Sequence, residues 1–403
     1  MVYIGESQNT ESEKAGREAA GEAKNRIIGK DSISWALAFC GGRHEPDSIL
    51  NGIRSELGDI SIYGGSAVGI ITNSSLGYTG YECGLAVFTA PFPVPEVAMI
   101  DSMEAGEYEA GRNLGLELDE VAAEGDTVLI FYDNTRSAPP PVLYTGSQLL
   151  DGLYSGLGGK NLHIIGAGMI GDFSFAPSFL FDGYKKIKRS AIAIVLSGER
   201  LQPHTTLIHG CSPVSSFLEI TRIDGPVLYE LDGRPAIEVI CEKLAIEQET
   251  IPEIIQSLML TIGKKHGDIY APFDENMYVN RLIINSNPED GSVRLFEADF
   301  QQGTKVQIMS RDNRMMIESV RKEASELLET IDREKSVFAM YIDCAGRASS
   351  FSGSEVEEAG VVRKKIGDSI PLLGFYSGVE IAPLLGRSRP LDWTGVLTLF
   401  TNR

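Results

Sequence analysis

Three apolar segments of the chain end directly at glycine-rich runs, and this repeated pattern constrains the fold more than any other feature. The segments are Ile60 to Tyr63, Leu162 to Ile165 and the residues ending at Leu373, and the glycine-rich runs that follow them span 64–69, 166–172 and 374–378. Glycine lets the backbone approach a ligand closely and adopt positive φ in tight turns. The pattern predicts three strands that end at glycine loops and share one pocket, although ordinary turn formation also explains each loop taken singly.

Strand-like apolar segments alternate with amphipathic segments along the chain. Ser34 to Cys40 is typical of a buried strand, whereas residues 315–330 place an apolar stripe on one helix face. This alternation predicts an α/β fold with mixed sheets. At 403 residues the chain is long for a single hydrophobic core, so we expect two domains. The expected division is an N-terminal helix and extension over 1–30, a first domain over 31–221 and a second domain over 222–403.

Proline marks the start of two predicted helices in the second half, because its fixed φ and missing N–H suit the first helical turn. These helices are Pro235 to Leu244 and Pro252 to Leu260. Short segments at 282–285, 293–296 and 305–309, separated by turn residues, predict antiparallel strands after them.

The composition excludes several classes of partner. Lys and Arg number 36 against 56 Asp and Glu, which gives a net charge of −20, and no basic run offsets it. Nucleic acid and anionic membrane surfaces are therefore not expected partners. The five cysteines are scattered, which indicates a reducing compartment and no zinc site. No apolar run reaches the roughly 18 residues of a membrane helix, so the protein is expected to be cytoplasmic.

Cys344 and Arg347 form the sharpest local group of reactive residues, at the end of a predicted strand. A guanidinium three positions away from a thiol can lower the thiol pKa and hold a carboxylate through two hydrogen bonds. The alternative is that Cys344 is a small buried residue and that Arg347 pairs with a nearby acid such as Asp343 or Glu355. The sequence leaves both roles open.

His209 and Cys211 form a second candidate group, since both follow a predicted strand. A histidine beside a cysteine at such a corner can ligate a metal or haem iron, or orient a substrate. A simple structural hydrogen bond is the alternative for His209. Ser-His-Asp ordering, a nucleophile elbow and metal-ligand spacing are missing from the sequence, so no metal site is predicted.

Glu380 and Tyr376 belong to the third glycine-rich region. Glu380 is either a pocket carboxylate or the first residue of a helix. Tyr376 is suited to stacking on a ligand or donating to it, and equally suited to the core.

With these residues in view, the chain resembles the FIST family, named for F-box and intracellular signal transduction proteins, with its N-terminal and C-terminal parts in tandem. The resemblance covers about residue 30 to the end. It is carried by the segments 65–69, 166–172, 209–213, 229–236, 344–347 and 374–381. One departure is visible, because the family usually has Asn-x-Thr near its end where this chain has Asp392-Trp393-Thr394.

The resemblance implies a sensory domain that binds a small molecule, often thought of as amino-acid-like, and signals through a partner such as a histidine kinase. The expected ligand-binding residues are Gly65, Ser66, His209, Cys211, Cys344, Arg347, Tyr376 and Glu380. In this scheme Arg347 takes a ligand carboxylate, the Gly-loop amides hold an oxygen and Glu380 meets an amine.

Two further hypotheses stay open. One is an enzyme on the same scaffold, with Cys344, Glu380 and His209 as nucleophile and acid/base groups acting on a small carboxylate or carbonyl substrate. The other is a haem-based nitric-oxide sensor with His209 or His204 as the axial ligand, as one branch of the family implies.

Overall fold

The computed structural model describes residues 1–29, 31–256 and 260–403, and the helices within these ranges lie mostly between strands. They are α1 (Ser12–Arg26), α2 (Pro46–Leu57), α3 (Glu107–Val121), α4 (Gly146–Gly156), α5 (Ala236–Leu244), α6 (Ile251–Gln256), α7 (Asn313–Thr330), α8 (Ser349–Ser352) and α9 (Glu358–Ile366).

The strands of the first half are β1 (Val2–Ser7), β2 (Ile33–Gly41), β3 (Ser61–Ala67), β4 (Ile70–Thr72), β5 (Leu76–Gly77), β6 (Cys83–Thr89), β7 (Glu96–Ile100), β8 (Thr127–Asp133), β9 (Thr135–Ser137), β10 (Val142–Leu143), β11 (His163–Met169), β12 (Leu180–Gly183), β13 (Lys186–Ile187) and β14 (Ala191–Leu196). The strands of the second half are β15 (Leu201–Ile208), β16 (Cys211–Pro213), β17 (Leu218–Asp224), β18 (Val227–Leu231), β19 (Arg234–Pro235), β20 (Leu260–Lys265), β21 (Tyr278–Asn287), β22 (Ser292–Leu295), β23 (Lys305–Arg311), β24 (Ser336–Cys344), β25 (Leu372–Ser377), β26 (Val379–Leu384), β27 (Arg387–Leu391) and β28 (Gly395–Asn402).

Three mixed sheets of the described residues share one topology. Their strand orders are β1-β6-β2-β3-β12-β13 in the first sheet, β27-β26-β11-β8-β14-β7 in the second and β15-β28-β24-β25-β4-β5 in the third. Each sheet contains one parallel pair joined through a helix, namely β2 with β3, β8 with β11 and β24 with β25. The chain thus builds the same β-α-β-α-β unit three times.

Hairpins are exchanged among the three units. The β4-β5 hairpin follows the first unit but pairs with the third sheet, β12-β13 follows the second unit but pairs with the first sheet, and β26-β27 follows the third unit but pairs with the second sheet. This cyclic exchange ties the second half of the chain to the first through backbone hydrogen bonds.

Helices cover the outer face of each sheet, and the inner faces share one core. The helix pairs are α1 with α2, α3 with α4 and α7 with α9. Phe39, Phe131 and Phe375 come from the first, second and third sheets, and their ring centroids lie 4.2 to 6.0 Å apart. Aromatic packing of this kind joins the three inner faces into a single core.

A barrel follows the first strand of the third unit. The described strands β23, β17, β18, β22, β21 and β20 pair in that order, and β20 pairs back with β23, so the sheet closes. All of these pairs are antiparallel. Isoleucine, leucine and valine side chains fill its interior together with residues of α5 and α6.

The predicted α/β fold with mixed sheets in two domains is confirmed. The three glycine-rich runs, however, begin inside strands and continue past the strand ends, whereas we expected loops that follow the strands. Gly64, Gly166 and Gly374 all lie inside strands. In each case a Cβ would overlap the carbonyl oxygen of the residue paired with it on the neighbouring parallel strand, Ala38, Ile130 or Tyr341. These glycines let parallel strands approach closely, which explains why the pattern occurs three times.

Two other local predictions need correction. The N-terminal segment contains strand β1, paired with β6, in addition to the expected helix. In the predicted helix Pro252 to Leu260, α6 ends at Gln256 and Leu260 already belongs to β20, while 257–259 lie outside the described residues. The antiparallel strands expected at 282–285, 293–296 and 305–309 lie within or overlap β21, β22 and β23.

Candidate functional site

The carboxyl ends of the parallel strands from all three sheets meet at one place. The Val68 N–H donates to the Tyr376 carbonyl oxygen over 3.2 Å, and the Tyr376 N–H donates to Gly69 over 3.0 Å. The Gly378 N–H donates to the Gly168 carbonyl oxygen over 2.9 Å. The three glycine-rich segments therefore converge, at the edge where α/β proteins commonly bind ligands.

Buried charged side chains concentrate at this convergence, which we call the polar centre and define by Asp343, Arg347, Glu358 and Glu380. All four side chains are fully buried. Arg347 donates from Nη2 to Glu358 Oε1 over 2.6 Å and from Nε to Glu358 Oε2 over 3.0 Å. The predicted pairing of Arg347 with a nearby acid is thus present. The main partner is Glu358, and of the two acids named from the sequence Asp343 lies 3.4 Å from Arg347 Nε.

Arg347 also fixes two backbone segments. Its Nη1 donates to the carbonyl oxygens of His209 and Trp393, over 2.8 and 2.9 Å. Four of its five N–H groups are therefore engaged within the protein. A ligand carboxylate would reach two guanidinium N–H groups only after displacing Glu358 or a carbonyl oxygen.

Asp343 has the carboxylate with the fewest hydrogen-bond partners in the polar centre. Neither of its oxygens accepts a hydrogen bond from the described residues, and Oδ1 lies 3.4 Å from Arg347 Nε. Burial and the neighbouring Glu358 carboxylate raise the pKa of Asp343 well above its usual value. A buried carboxyl group without hydrogen-bond donors is costly unless a proton or an external cation compensates for it.

Asn134, at the end of β8, is a second unsatisfied group beside the centre. Its side chain is fully buried, and neither its amide nitrogen nor its amide oxygen has a hydrogen-bond partner in the described part of the chain. A Cβ on Gly378 would lie 2.9 Å from the Asn134 amide nitrogen. Gly378 follows Ser377, whose Oγ lies 3.3 Å from the Asp343 carbonyl oxygen. Asn134 and Asp343 therefore both lie next to the 377–378 segment.

Glu380 is a strand residue, in β26, and not a helix start. Its Oε1 accepts from the Ser377 hydroxyl over 2.8 Å, and its Oε2 accepts from the Thr394 N–H over 3.2 Å. Burial raises the pKa of Glu380 to about 8. Near neutral pH this carboxyl group can bind or release a proton, which is a property of many functional acids.

Tyr376 borders the centre through its hydroxyl group. The ring is fully buried, and Oη donates to Glu357 Oε1 over 2.7 Å. Its ring packs edge-on against Tyr78 at a centroid distance of 5.6 Å. Tyr376 thus links the third sheet to the 76–78 segment of the exchanged hairpin.

The prediction of an acidic thiol at Cys344 is wrong. Burial, followed by the negative charge of Glu380, raises the pKa of Cys344 well above its ordinary value. Arg347 does act in the opposite direction, but its effect is smaller because its charge is balanced by Glu358. Cys344 is partly exposed and lies at the end of β24, next to Asp343.

His209 is held by hydrogen bonds at both ring nitrogens. Nδ1 lies 2.8 Å from Thr394 Oγ1, and Nε2 lies 3.0 Å from the Tyr278 carbonyl oxygen. Since a carbonyl only accepts, Nε2 carries the hydrogen and Nδ1 accepts from the threonine. Burial and the positive charge of Arg347 lower the pKa of His209 to about 3, in keeping with a neutral ring.

This arrangement does not fit haem ligation at His209, because coordination of iron would break one of the two buried hydrogen bonds. His204 is half-buried on β15, and its Nε2 lies 3.0 Å from Thr401 Oγ1. The cavity beside it, of about 380 Å³, is lined mainly by polar residues such as Asp332 and Lys335. Neither histidine lies in an apolar slot for a porphyrin.

The remaining predicted site residues make their hydrogen bonds with residues outside the polar centre. Cys211, on β16, accepts from the Asn280 amide over 3.2 Å, and burial raises its pKa to about 12. Ser66, on β3, accepts from the Phe179 N–H over 3.1 Å and is fully buried. Gly65 precedes it, and a Cβ there would overlap the Phe179 carbonyl oxygen. Gly65 and Ser66 therefore hold strand β3 against β12.

Asp392, the residue that departs from the family pattern, faces the barrel. Its Oδ1 lies 3.2 Å from Arg281 Nη1, and its Oδ2 accepts from the Leu282 N–H over 3.0 Å. Burial raises its pKa to about 7. Asp392 thus joins the barrel to the polar centre, since Thr394 two residues later bonds both His209 and Glu380.

A cavity of about 310 Å³ lies beside this region. It is lined by residues of the β23–α7 junction, of α8 and of the β27–β28 connection, including Arg311, Asn313, Phe351 and Trp393. The Arg311 guanidinium stacks on the Trp393 ring at 3.1 Å from its centroid. A Cβ on Gly346 would lie 2.5 Å from the same ring. Trp393 therefore separates this cavity from the 344–347 turn.

The sequence identified Arg347, Glu380 and His209 but missed Asn134 and Glu358. Asn134 follows an apolar strand directly, which is the signal that could have found it. Glu358 begins α9 and resembles an ordinary first-turn acid, so nothing in its local sequence indicates a buried ion pair.

Comparisons with known proteins agree with this architecture. The family model described as the FIST N domain matches residues 34–234, and that of the FIST C domain matches residues 236–383. Domains of this kind are associated with signal transduction and small-ligand sensing. An uncharacterized protein of Mycobacterium bovis is 22% identical over 405 residues, covering 100% of this chain and 99% of its own length. An uncharacterized protein of Mycobacterium tuberculosis is 23% identical over 412 residues, covering 100% of both chains.

The helices of residues 1–29, 31–256 and 260–403 include none that is long and apolar enough to cross a lipid bilayer.

Proposed function

The chain belongs to the FIST family, with FIST N and FIST C domains in tandem, and from this premise we propose that it is a cytoplasmic sensory protein that binds a small amine-bearing, amino-acid-like molecule and acts in trans on a partner protein. The single observation that carries the ligand class is the carboxylate of Asp343, which is fully buried and accepts no hydrogen bond from the described residues. A primary ammonium group supplies both a positive charge and three donors to such a carboxylate.

The charge balance of the polar centre supports a cationic ligand group. Asp343, Glu358 and Glu380 contribute three carboxyl groups, whereas Arg347 contributes one positive charge, which Glu358 largely neutralises. Removing carboxylates from water without compensation is unfavourable. Burial raises the pKa of both Asp343 and Glu380, and an ammonium group between them would stabilise their ionised forms. The unsatisfied amide of Asn134 provides a further hydrogen-bonding group near it.

The cavity beside Trp393 gives the proposed route of entry. Its wall contains the Arg311 guanidinium, a positive group suited to the carboxylate end of an amino-acid-like molecule. Displacement of the Trp393 ring from Gly346 would open the path from this cavity to Cys344. The ligand-binding roles predicted for Tyr376 and Cys344 are retained in this proposal, because both border the polar centre.

Arg347 has a different role in the proposal from the one first expected. Its hydrogen bonds to Glu358, His209 and Trp393 make it the group that positions the site. Closure of the site around a ligand would thus be transmitted to the segments that contain His209 and Trp393. The proposed partner, such as a histidine kinase, would detect that change at the surface.

An enzyme is the second candidate, and the pKa of Glu380 near 8 is the observation in its favour. Against it, both ring nitrogens of His209 are engaged by Thr394 and Tyr278, so the imidazole is not free to activate the Cys344 thiol. Product release during incubation with ligand, lost in Cys344→Ser, would support the enzyme and reject the sensor.

The test of the proposed function is a native mass spectrum of the purified protein, followed by calorimetric titration with amino acids and simple amines. A one-to-one complex is expected for the wild type. Asp343→Asn should weaken it by about 10-fold to 150-fold, the scale of a hydrogen bond to a charged group. Asp368→Asn, at an exposed position, is the matched control and should leave the affinity unchanged. Equal affinity of wild type and Asp343→Asn would reject the site.

A further inference from the structure

A second cavity, of about 270 Å³, lies where α4, the exchanged β27 strand and the barrel meet. We call it the seam cavity; its charged and titratable lining residues are Asp151, Lys264, His266, Asp299, Arg387 and Arg389. Its volume is near the lower end of the roughly 300 to 1,000 Å³ typical of small-molecule sites. Such sites are common where two parts of a protein meet.

Both acids of the seam cavity are already paired. Asp151 Oδ1 lies 2.7 Å from Arg387 Nη2. Asp299 forms a two-point ion pair with Arg281, with Nε–Oδ1 and Nη2–Oδ2 distances of 2.7 and 2.6 Å. Both carboxylates are therefore engaged by other guanidinium groups, and Asp299 offsets the charge of Lys264 and Arg389 only in part.

Lys264 and Arg389 are the cations that remain. Neither makes a hydrogen bond or ion pair through its side chain with any residue in the described ranges, and the Arg389 Nε atom is buried without a partner. Both side chains are only partly exposed. Two half-buried cations without an ion-pair partner among the described residues are unexpected in a chain of net charge −20.

The titration behaviour of the cavity agrees with this excess of positive charge. Burial and then the Arg389 charge lower the pKa of Lys264, and burial followed by Arg389 and Lys264 lowers the pKa of His266 to about 4. Burial and then Arg387 lower the pKa of Arg389. An anion between Lys264 and Arg389 would relieve this mutual repulsion.

We propose that the seam cavity is a binding site for the phosphate group of a small molecule, held by the Lys264 ammonium and the Arg389 guanidinium. The geometry combines a point charge with a planar fork of N–H donors, which together suit a doubly charged phosphate group. No residue of the polar centre lines the seam cavity, so this site is separate from the amine site proposed above.

The test is calorimetric titration of the full-length protein with inorganic phosphate at low ionic strength. Saturable one-to-one binding is expected, weakened at least tenfold in Lys264→Met and in Arg389→Gln. Lys185→Met, at an exposed position away from the cavity, is the control and should bind like the wild type. In NMR spectra the imidazole signal of His266, identified by its loss in His266→Gln, should shift on phosphate addition.

Three results would overturn the proposal. They are no saturable phosphate binding to the wild type, binding unchanged in both variants, and tighter binding of malonate than of phosphate, which would assign the site to dicarboxylates. Asp343→Asn should leave phosphate binding unchanged, so that failure of this proposal is distinguished from failure of the amine site.

Discussion

Arg347 and Glu358 form a two-point ion pair in which both side chains are fully buried, with nitrogen–oxygen distances of 2.6 and 3.0 Å. Removing the cation would leave Glu358 buried and without its main counter-charge. We therefore expect Arg347→Ala to lower the free energy of unfolding by about 3 to 5 kcal/mol, the usual cost of breaking a buried pair from one side. Chemical denaturation followed by circular dichroism measures this change.

The control for this prediction is an exposed pair of the same length. Arg17 Nη2 lies 2.6 Å from Glu13 Oε1, and both side chains are about half exposed. Arg17→Ala should cost less than about 1 kcal/mol, because water screens the pair. Similar costs for the two variants would show that Arg347 is not a structural anchor and would return it to the ligand-binding role.

The pH dependence of stability should report the buried carboxyl groups of the site. The pKa of Glu380 is about 8 in the folded protein and near 4.3 when unfolded, so the folded state retains a proton that the unfolded state releases. The Glu380 contribution to the free energy of unfolding should therefore fall as pH rises from 6.5 to 8. Histidines act in the opposite direction near pH 6.5, because burial lowers the pKa of His163, His209 and His266 in the folded state, so the Glu380 contribution is read as the difference between the wild type and Glu380→Gln.

Glu380→Gln isolates the contribution of this residue. The glutamine amide can donate to Ser377 and accept from Thr394, which mimics the protonated acid. In Glu380→Gln this negative contribution is lost, so the slope of the free energy of unfolding against pH should be more positive than in the wild type. The difference should be up to about 1.4 kcal/mol per pH unit, the limit for one proton. An unchanged slope between pH 6.5 and 8 would mean that Glu380 is ionised in the folded protein.

The sequence predicted most elements of this fold because their signals are local. The apolar stripe of residues 315–330 lies within α7, and Ser34 to Cys40 lies within β2. The exchanged hairpins could not be predicted, because the choice of sheet for β4, β12 or β26 depends on hydrogen bonds between residues far apart in sequence.

The candidate site was predictable where a residue type is itself unusual. Arg347 and Glu380 stand out beside glycine at strand ends, whereas Glu358 resembles many helix-start acids and Asn134 many turn residues. The sign of the Cys344 pKa shift was predicted wrongly because sequence proximity showed Arg347 but not the burial or the Glu380 carboxylate. These groups are buried because three sheets converge on them, and such convergence is a property of the tertiary structure that the local sequence does not show.

The glycines inside the parallel strands should be intolerant of a side chain. A Cβ at Gly374 would overlap the carbonyl oxygen of Tyr341 and approach the Tyr341 Cβ to 3.2 Å. Backbone atoms cannot move aside cheaply in a core, so Gly374→Ala should lower the free energy of unfolding by at least about 1 to 3 kcal/mol.

Gly21→Ala is the matched control, because Gly21 lies in α1 and a Cβ there would meet nothing within 4 Å. This variant should raise the free energy of unfolding by about 0.5 to 1 kcal/mol through the helix propensity of alanine. Denaturant midpoints measured for both variants check the two opposite signs. A stable Gly374→Ala variant would contradict the explanation given for the three glycine-rich runs.

The hydrogen bonds of His209 lead to a prediction about haem. With Nδ1 bound to Thr394 and Nε2 bound to the Tyr278 carbonyl oxygen, iron ligation would sacrifice a buried hydrogen bond at an estimated cost of about 1 to 3 kcal/mol, in addition to opening a closed interior. We expect protein expressed with added haem precursor to show no Soret absorbance after purification. A Soret band that His209→Ala abolishes and His204→Ala retains would contradict this prediction, because the ring must then have exchanged its hydrogen bonds for iron. Thermal unfolding of His209→Ala provides the second readout: if the imidazole is structural, its loss should lower the unfolding temperature whether or not haem precursor is supplied.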